Sequence, residues 1–200
     1  ISPSEDLMAF AEDEHGRRQY VIKIKDLRRG TFLKDNLRGT SGDIAWSENG
    51  NILFYVYKDP QTLLPFQVYR HVLGEPQSKD ILVYEEKDPT FHLSVGNSRS
   101  MKYIEIEASS TNSSETLLIE SLHPIKEPKV IKKREEKHLY TIEHDGDRFL
   151  ILTNWKAKNF RLMETNINDS ENKSKWRELL PHRKEVLVQS FLSFPKNIVV

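Results

Sequence analysis

The 200-residue chain carries 30 basic and 30 acidic side chains, so its formal net charge at pH 7 is zero. This balance argues against nucleic acid as a partner, because nucleic-acid binders concentrate positive charge. The absence of cysteine excludes disulfides and thiolate metal sites and is compatible with a cytoplasmic location. No apolar run approaches the roughly 20 residues of a membrane span, and residues 1–10 lack a signal-peptide layout, so no membrane association is expected.

Short stretches of alternating, β-branched or aromatic residues recur along the whole chain, and each predicts a β-strand. In chain order they are LMAFAED from Leu7, YVIKIKDL from Tyr20, DIAWS from Asp43, ILFYVYKD from Ile52, FQVYRHVL from Phe66, DILVYEE from Asp80, FHLSVG from Phe91, KYIEIEAS from Lys102, ETLLIES from Glu115, HLYTIEH from His138, DRFLILTN from Asp147, NFRLMETN from Asn159 and VLVQSFLSF from Val186. Long amphipathic helices are absent from the pattern, and the best helical segment is a turn or two near SKWRELL at Ser174. The sequence therefore predicts an all-β fold.

One strand type, an apolar run followed by a polar residue, recurs at offsets of 45, 51 and 46 residues, starting at Leu7, Ile52, Tyr103 and Phe149. A four-stranded antiparallel unit with a period of roughly 40–50 residues is typical of a β-propeller blade. The predicted blades are 1–39, 40–88, 89–137 and 138–185, with 186–200 beginning a fifth. Turn signals support this order, because SENGN at Ser47, GNSRS at Gly96 and HDGD at His144 each fall between the first and second strands of a unit.

The two ends of the chain predict an incomplete propeller. ISPSEDLMAF begins inside a hairpin without a preceding first strand, and FPKNIVV ends on an apolar strand that has no predicted partner. Four blades and two half-blades do not close a ring, and unpaired sheet edges promote aggregation. The chain is therefore predicted to be part of one propeller domain of a longer protein.

No motif for hydrolytic or metal chemistry is complete. A nucleophile elbow of the form G-x-S-x-G is missing, and GTSGD at Gly39 is interpreted as the loop that enters the second blade. His138 and His144 share one side of a predicted strand, but without cysteine or a His-x-x-x-His motif they do not predict a metal site. The other histidines are scattered one or two to a blade, at His15, His71, His92, His123 and His182.

The acidic and aromatic clusters also have plain structural interpretations. EHDGDR at Glu143 lacks the full calcium-loop pattern and is interpreted as an Asp-Gly hairpin turn. Neighbouring acids such as those in EDE at Glu12 and EE at Glu85 point to opposite faces of a strand, so neither forms a glycosidase pair by itself. Residues 126–137 are interpreted as a polar fourth strand, and the aromatic residues of the second blade as core. No catalytic, cofactor-binding or metal-ligating residue is assigned.

Residues 40–88, with FYVYKDPQTLLPFQVYRHVLG and VYEEKD at characteristic spacing, resemble a propeller blade of the prolyl oligopeptidase family, in its oligopeptidase B branch. Further segments resemble the same family, namely SPSEDLMAFAEDEHGRRQYVIKIKDL, KHLYTIEHDGDRFLILTNWKAKNFRLM and W-x-x-L-x-P-H-R at Trp176. The resemblance implies a cytoplasmic serine endopeptidase in which a seven-bladed propeller covers an α/β-hydrolase domain. Such enzymes cut short peptides after Lys or Arg with a Ser, Asp and His triad, and need no cofactor. None of the triad residues has a counterpart in these 200 positions.

Three functions follow as alternatives. In the first, the chain is an inactive part of the propeller cap that gates access of short basic peptides and packs on the missing catalytic domain. In the second, it is a scaffold that binds protein partners, and in the third, less favoured, a glycan-acting propeller. For the loop Asp59–Pro65, we expect Leu63 and Leu64 to pack against a neighbouring blade or the catalytic domain.

Overall fold

Sixteen β-strands account for most of the regular structure in residues 1–194 and 196–200, which are the residues that this computed structural model describes. The strands form three larger sheets and one two-stranded hairpin. Helix within these ranges is limited to three single turns of 3₁₀ type, so the predicted all-β fold is confirmed. No helix in the described ranges has the length and apolar character needed to cross a membrane.

The first sheet has six strands, and its spatial order follows the chain. Its strands are β1 (Leu7–Glu12), β2 (Tyr20–Asp26), β3 (Phe32–Trp46), β4 (Ile52–Lys58), β5 (Pro65–Val72) and β6 (Ile81–Glu85). The alternation in β2 shows why these segments form strands, because Ile22 and Ile24 are fully buried on one face while Lys23 and Lys25 lie on the other. β5 begins one residue earlier than predicted, at Pro65, where a missing N–H costs no central hydrogen bond.

Strand β3 is longer than the sequence predicted, because it starts at Phe32 and not at Asp43. The strand pairs with β2 through its first half and with β4 through its second half, so the six-stranded sheet continues through residues 39 and 40. Gly39 and Gly42 have φ of +70° and +97°, and the register of β3 on β4 shifts between Thr40 and Ile44. Glycine supplies the positive φ that this change of direction requires.

The second and third sheets each have four antiparallel strands in sequential order. The second consists of β7 (His92–Asn97), β8 (Tyr103–Ser109), β9 (Ser114–Glu120) and β10 (Lys129–Lys132), and the third of β11 (Tyr140–Asp145), β12 (Arg148–Thr153), β13 (Arg161–Asn166) and β14 (Arg177–Leu180). β10 is the polar strand predicted within residues 126–137. The Asp-Gly turn predicted between β11 and β12 is confirmed, with Gly146 at a φ of +69°.

The helical segment predicted near Ser174 is confirmed only as one short turn. A single 3₁₀ turn spans Lys173–Lys175, and the following residues form β14 at the edge of the third sheet. The side chain of Trp176 anchors this change, since it is buried and its Nε1 donates to the carbonyl oxygen of Ser170 at 2.9 Å. Local propensity allowed either structure, and the pairing with β13 selects the strand.

The long strand predicted from Val186 is also wrong. Only β15 (Leu192–Ser193) forms, and it pairs with β16 (Ile198–Val199), so the apolar C-terminal strand has a partner that the sequence did not indicate. Val188 is buried in the core of its unit while its N–H donates to the carbonyl oxygen of Asn159 at 3.0 Å. Because its N–H is used in this bond, Val188 does not take part in the hydrogen-bond ladder of a regular strand.

The chain divides into two compact units, residues 1–108 with 118–129 and residues 109–117 with 130–200. In the first unit β2, β3 and β4 form an apolar cluster on which side chains of β1 pack, and its buried members are Ile22, Ile24, Leu37, Trp46, Leu53 and Tyr55. In the second unit the buried members of a cluster are Leu150, Leu152, Leu162 and Val188. Burial of such side chains from water is the main source of stability for both units.

Three tight turns in the first unit each contain a buried serine that closes the turn with hydrogen bonds. Ser47 donates its N–H to the carbonyl oxygen of Ile52 at 2.9 Å, and its hydroxyl oxygen accepts the N–H of Ile52 at 3.0 Å. Gly50, three residues after the serine, has a φ of +70°. The same pair of hydrogen bonds, five residues apart, recurs at Ser2 and Ser98. In the last of these the turn follows Asn97, so Gly96 lies in β7 and not in the turn as predicted.

Candidate functional site

The loop between β1 and β2 is held by one carboxylate. Asp13 accepts the backbone N–H groups of His15 and Arg17 at 3.2 Å each and that of Arg18 at 2.6 Å. Burial would raise the pKa of Asp13, but these N–H groups outweigh it and hold the pKa below its ordinary value. The charged carboxylate therefore gives an exposed loop a defined conformation.

The loop between β4 and β5 is also held by one carboxylate, that of Asp59. Asp59 accepts the N–H of Thr62 at 2.6 Å and that of Gln61 at 2.9 Å, and the Thr62 hydroxyl, at 2.9 Å, is a third donor. These bonds, the one from Thr62 above all, hold the pKa of Asp59 below its ordinary value. Leu63 has a φ of +62° and, like Leu64, is half-buried. The packing of these two leucines on a further domain stays a prediction.

A pocket of about 480 Å³ opens between these two loops in the first unit. It is lined by Glu14, His15, Arg17, Gln19, Tyr20, Val21, Arg38, Gly39, Tyr57, Lys58 and Pro60. Lys58 joins the loops, since its Nζ donates to the carbonyl oxygen of Arg18 at 2.7 Å. Gly39 is needed at the base, because a Cβ there would lie 2.7 Å from Cε2 of Tyr57. The GTSGD segment thus contributes to a pocket wall and not to a nucleophile elbow.

A buried acid–histidine–acid cluster lies in the same unit and joins β3 to β5. The Nε2 of His71 is 2.9 Å from Oδ1 of Asp35, and its Nδ1 is 2.7 Å from Oδ1 of Asp80. All three side chains are at most 2% exposed. Because an ionised carboxylate only accepts hydrogen bonds, each ring nitrogen facing one must carry a proton, which makes His71 an imidazolium. Burial alone would lower the pKa of His71, but Asp80 and Asp35 outweigh it and raise the pKa.

Further hydrogen bonds connect the cluster to the pocket wall. The Tyr55 hydroxyl donates to Oδ2 of Asp80 at 2.8 Å, and burial raises the pKa of this phenol, so it keeps its proton. Gln77 donates to the Tyr55 hydroxyl at 3.3 Å, and its amide also exchanges two 3.0 Å bonds with the backbone of Arg38. A continuous polar chain therefore runs from His71 to the residue before Gly39.

Among the described residues no group of three or more His, Cys, Asp or Glu side chains is arranged to hold a metal ion. His138 bonds Thr153 through Nε2 at 2.9 Å, and burial lowers its pKa to about 4, so it is neutral. His144 packs its ring on Phe149 with centroids 5.8 Å apart. Each of these two histidines thus has its own partner in the core of the second unit.

The acidic clusters form ordinary surface contacts, and the predicted core role of the aromatic residues in the second blade is confirmed for some of them. Glu12 pairs with Lys23 at 2.7 Å, and Glu85 accepts from the amide of Gln67 at 3.2 Å. Of the aromatic residues in the second predicted blade, three are buried, namely Trp46, Phe54 and Tyr55. The cluster around His71 escaped the sequence analysis, because its three members come from two predicted strands and one unpredicted strand segment.

Tandem antiparallel sheets, each built from sequential strands, define the chain as part of a β-propeller. A sequence profile of one family, described as "Prolyl oligopeptidase, N-terminal beta-propeller domain", matches residues 1–200. The chain therefore belongs to this family. The fold class and the family resemblance deduced from the sequence are both confirmed.

Relatives with curated names agree with the family assignment. Dipeptidyl aminopeptidase BI of Pseudoxanthomonas mexicana is 41% identical over 100% of this chain, and Protease 2 of Moraxella lacunata is 33% identical over 96% of it. The structure of oligopeptidase B from Leishmania major matches 93% of the chain with a TM-score of 0.85 and 30% identity. The chain spans 28% of the length of the first two proteins and 26% of the third.

Proposed function

We propose that this chain belongs to the propeller cap of a serine oligopeptidase that cleaves short peptides after Lys or Arg. The match of all 200 residues to the peptidase propeller family carries the proposal, and the likeness to an oligopeptidase B structure supports the peptidase type. The chain would contribute no catalytic group, since the Ser, Asp and His triad is expected in the catalytic domain of the same polypeptide. The family match favours this function over a stand-alone scaffold or a glycan-acting propeller.

The cap would act as a steric filter. A folded protein cannot pass a narrow opening or the gap between two closed domains, whereas a short peptide can, and closure also removes water from the reaction. The rigid loops at Asp13 and Asp59 support this role, because carboxylates bonded to several backbone N–H groups hold their conformation without a partner. We place the surface that meets the catalytic domain at these loops.

A second candidate has its own support, because a relative 41% identical to this chain is named a dipeptidyl aminopeptidase. The two activities differ in one requirement of the substrate. An enzyme that releases dipeptides needs a free amino terminus two residues before the cleaved bond, whereas an endopeptidase accepts a blocked one.

The test uses the full-length protein and two chromogenic peptides that end in Arg, one with a free amino terminus and one acylated. We expect hydrolysis of both, no hydrolysis of a folded protein, and none by residues 1–200 alone. Cleavage limited to the free-terminus dipeptide would establish the second candidate. Rapid cleavage of a folded protein would refute the filter, and cleavage of neither peptide would refute the proposed specificity.

A further inference from the structure

The pocket between the β1–β2 and β4–β5 loops is lined by more basic than acidic side chains. Arg17, Arg38 and Lys58 line it, whereas its one acid, Glu14, is already paired with Lys23 at 3.0 Å. Within residues 1–194 and 196–200 neither guanidinium of the pocket contacts a carboxylate, although Arg38 lies near enough to Glu14 to help Lys23 lower the pKa of that carboxyl. The chain as a whole is neutral, so the excess is local to this pocket.

The backbone positions that carry the two arginines, and the Nζ of Lys58, are held in place before any partner binds. The Asp13 carboxylate fixes the backbone of Arg17, and the Gln77 amide fixes the backbone of Arg38 with two 3.0 Å bonds. Lys58 is tied to the carbonyl oxygen of Arg18 at 2.7 Å. A site organised in advance loses less conformational entropy on binding, which favours a specific contact over a diffuse positive surface.

The chemistry of the pocket indicates its occupant. Guanidinium groups bind carboxylates with paired, charge-assisted hydrogen bonds, and two arginines line this pocket together with Tyr20 and Tyr57. The relatives are more than three times as long as this chain, which leaves a large remainder to supply the carboxylate. We propose that the pocket receives an Asp or Glu side chain from the catalytic domain of the same polypeptide and so fixes where the propeller docks. This inference rests on the proposed function for the presence of that domain.

Zero-length cross-linking tests the contact directly. A carbodiimide joins an amine to a carboxylate only when the two are in contact, and Lys58 supplies one amine in the pocket. In the full-length protein, Arg38→Lys adds a second amine with the same charge. We expect an amide link from position 38 or 58 to an acidic residue outside positions 1–200, identified by mass spectrometry. Lys129, exposed on β10 and outside the pocket, serves as the control and should give no such link.

Charge reversal gives a second readout. Replacing both arginines by Glu turns attraction into repulsion, and we expect the junction between the domains to be cleaved by a probing protease about five to ten times faster at low salt. The difference should shrink as salt screens the charges. Lys129→Glu makes the same kind of charge change on β10 and should leave the rate unchanged.

Three outcomes overturn the inference. The first two concern the cross-links from position 38 or 58, which would go only to Glu12 or Glu14, or only to an added acidic peptide. The third is equal cleavage of the domain junction in the charge-reversed and control variants. Hydrolysis of the two Arg-ending chromogenic peptides distinguishes a failure of this inference from a failure of the proposed function. Hydrolysis of Arg peptides without a cross-link refutes the docking pocket alone. A cross-link in a protein that hydrolyses neither peptide supports the pocket and refutes the proposed specificity.

Discussion

Replacing His71 by Leu should strongly destabilise the first unit. The imidazolium separates two carboxylates that are each 2% exposed, and the apolar side chain would leave both buried charges without a cation. Removing one partner of a buried ion pair costs about 3–5 kcal/mol. For a domain of this size that corresponds to a fall in melting temperature of roughly 6–20 °C.

Amide hydrogen exchange in the full-length protein measures this loss locally. Peptides covering β3 and β5 should lose several kcal/mol of opening free energy, because these strands carry Asp35 and His71. Peptides from the second unit, such as β12, are the internal control and should change little. Equal protection of β5 in the wild type and in His71→Leu would refute the assignment of a buried ionic cluster.

The charge on His71 also has a testable pH dependence. Because the folded state raises the pKa of His71, its stabilising contribution is complete below the unfolded value of about 6.5 and is lost as the pH rises through the folded pKa. In that window the opening free energy should fall by up to about 1.4 kcal/mol per pH unit.

Asp80→Asn is the matched control for this effect. Its side-chain N–H can donate to Nδ1 of a neutral His71 while its carbonyl oxygen accepts from Tyr55, and Nε2–H still donates to Asp35. Asp80→Asn should be less stable than the wild type at low pH. Its opening free energy should not fall as the pH rises through the folded pKa of His71. Parallel curves for the two proteins, corrected for intrinsic exchange rates, would show that His71 does not carry the charge assigned to it.

Three other changes test single features of the first unit. Gly39→Ala should destabilise it by about 1–3 kcal/mol, because the residue has a positive φ and its Cβ would meet Tyr57, and an unchanged urea midpoint would contradict this. Ser47→Ala should lower the free energy of unfolding by about 1 kcal/mol in the same assay, since the hydroxyl closes a buried turn. A loss below about 0.2 kcal/mol would show that water replaces the hydroxyl. Tyr55→Phe removes the donor to Asp80 and should cost about 1.5–3 kcal/mol, and hydrogen exchange in β4 that matches the wild type would contradict that value.

Strands made of an uninterrupted run of apolar and aromatic side chains were predictable from the local sequence. β4 and β12 were predicted to within a residue because runs of aromatic and branched side chains are buried on both faces. The recurrence of such strands every 45–51 residues predicted the fold class, and the resemblance of residues 40–88 to a known blade predicted the family. Local sequence also determined the Asp-Gly hairpin between β11 and β12, since its conformation depends on two neighbouring residues.

Other segments could not be predicted locally, because a distant residue changes what their sequence pattern means. Asp35 occupies an inward position of β3, which the alternation rule reserves for apolar residues, and this hid the first half of the strand. The carboxylate is buried there because His71, 36 residues away, neutralises it. Likewise, pairing with β13 made the residues after Trp176 a strand, and the contact of Val188 with Asn159 interrupted another. The pocket cations follow the same principle, since Gln77 fixes Arg38 from 39 residues away, a constraint that no local pattern encodes.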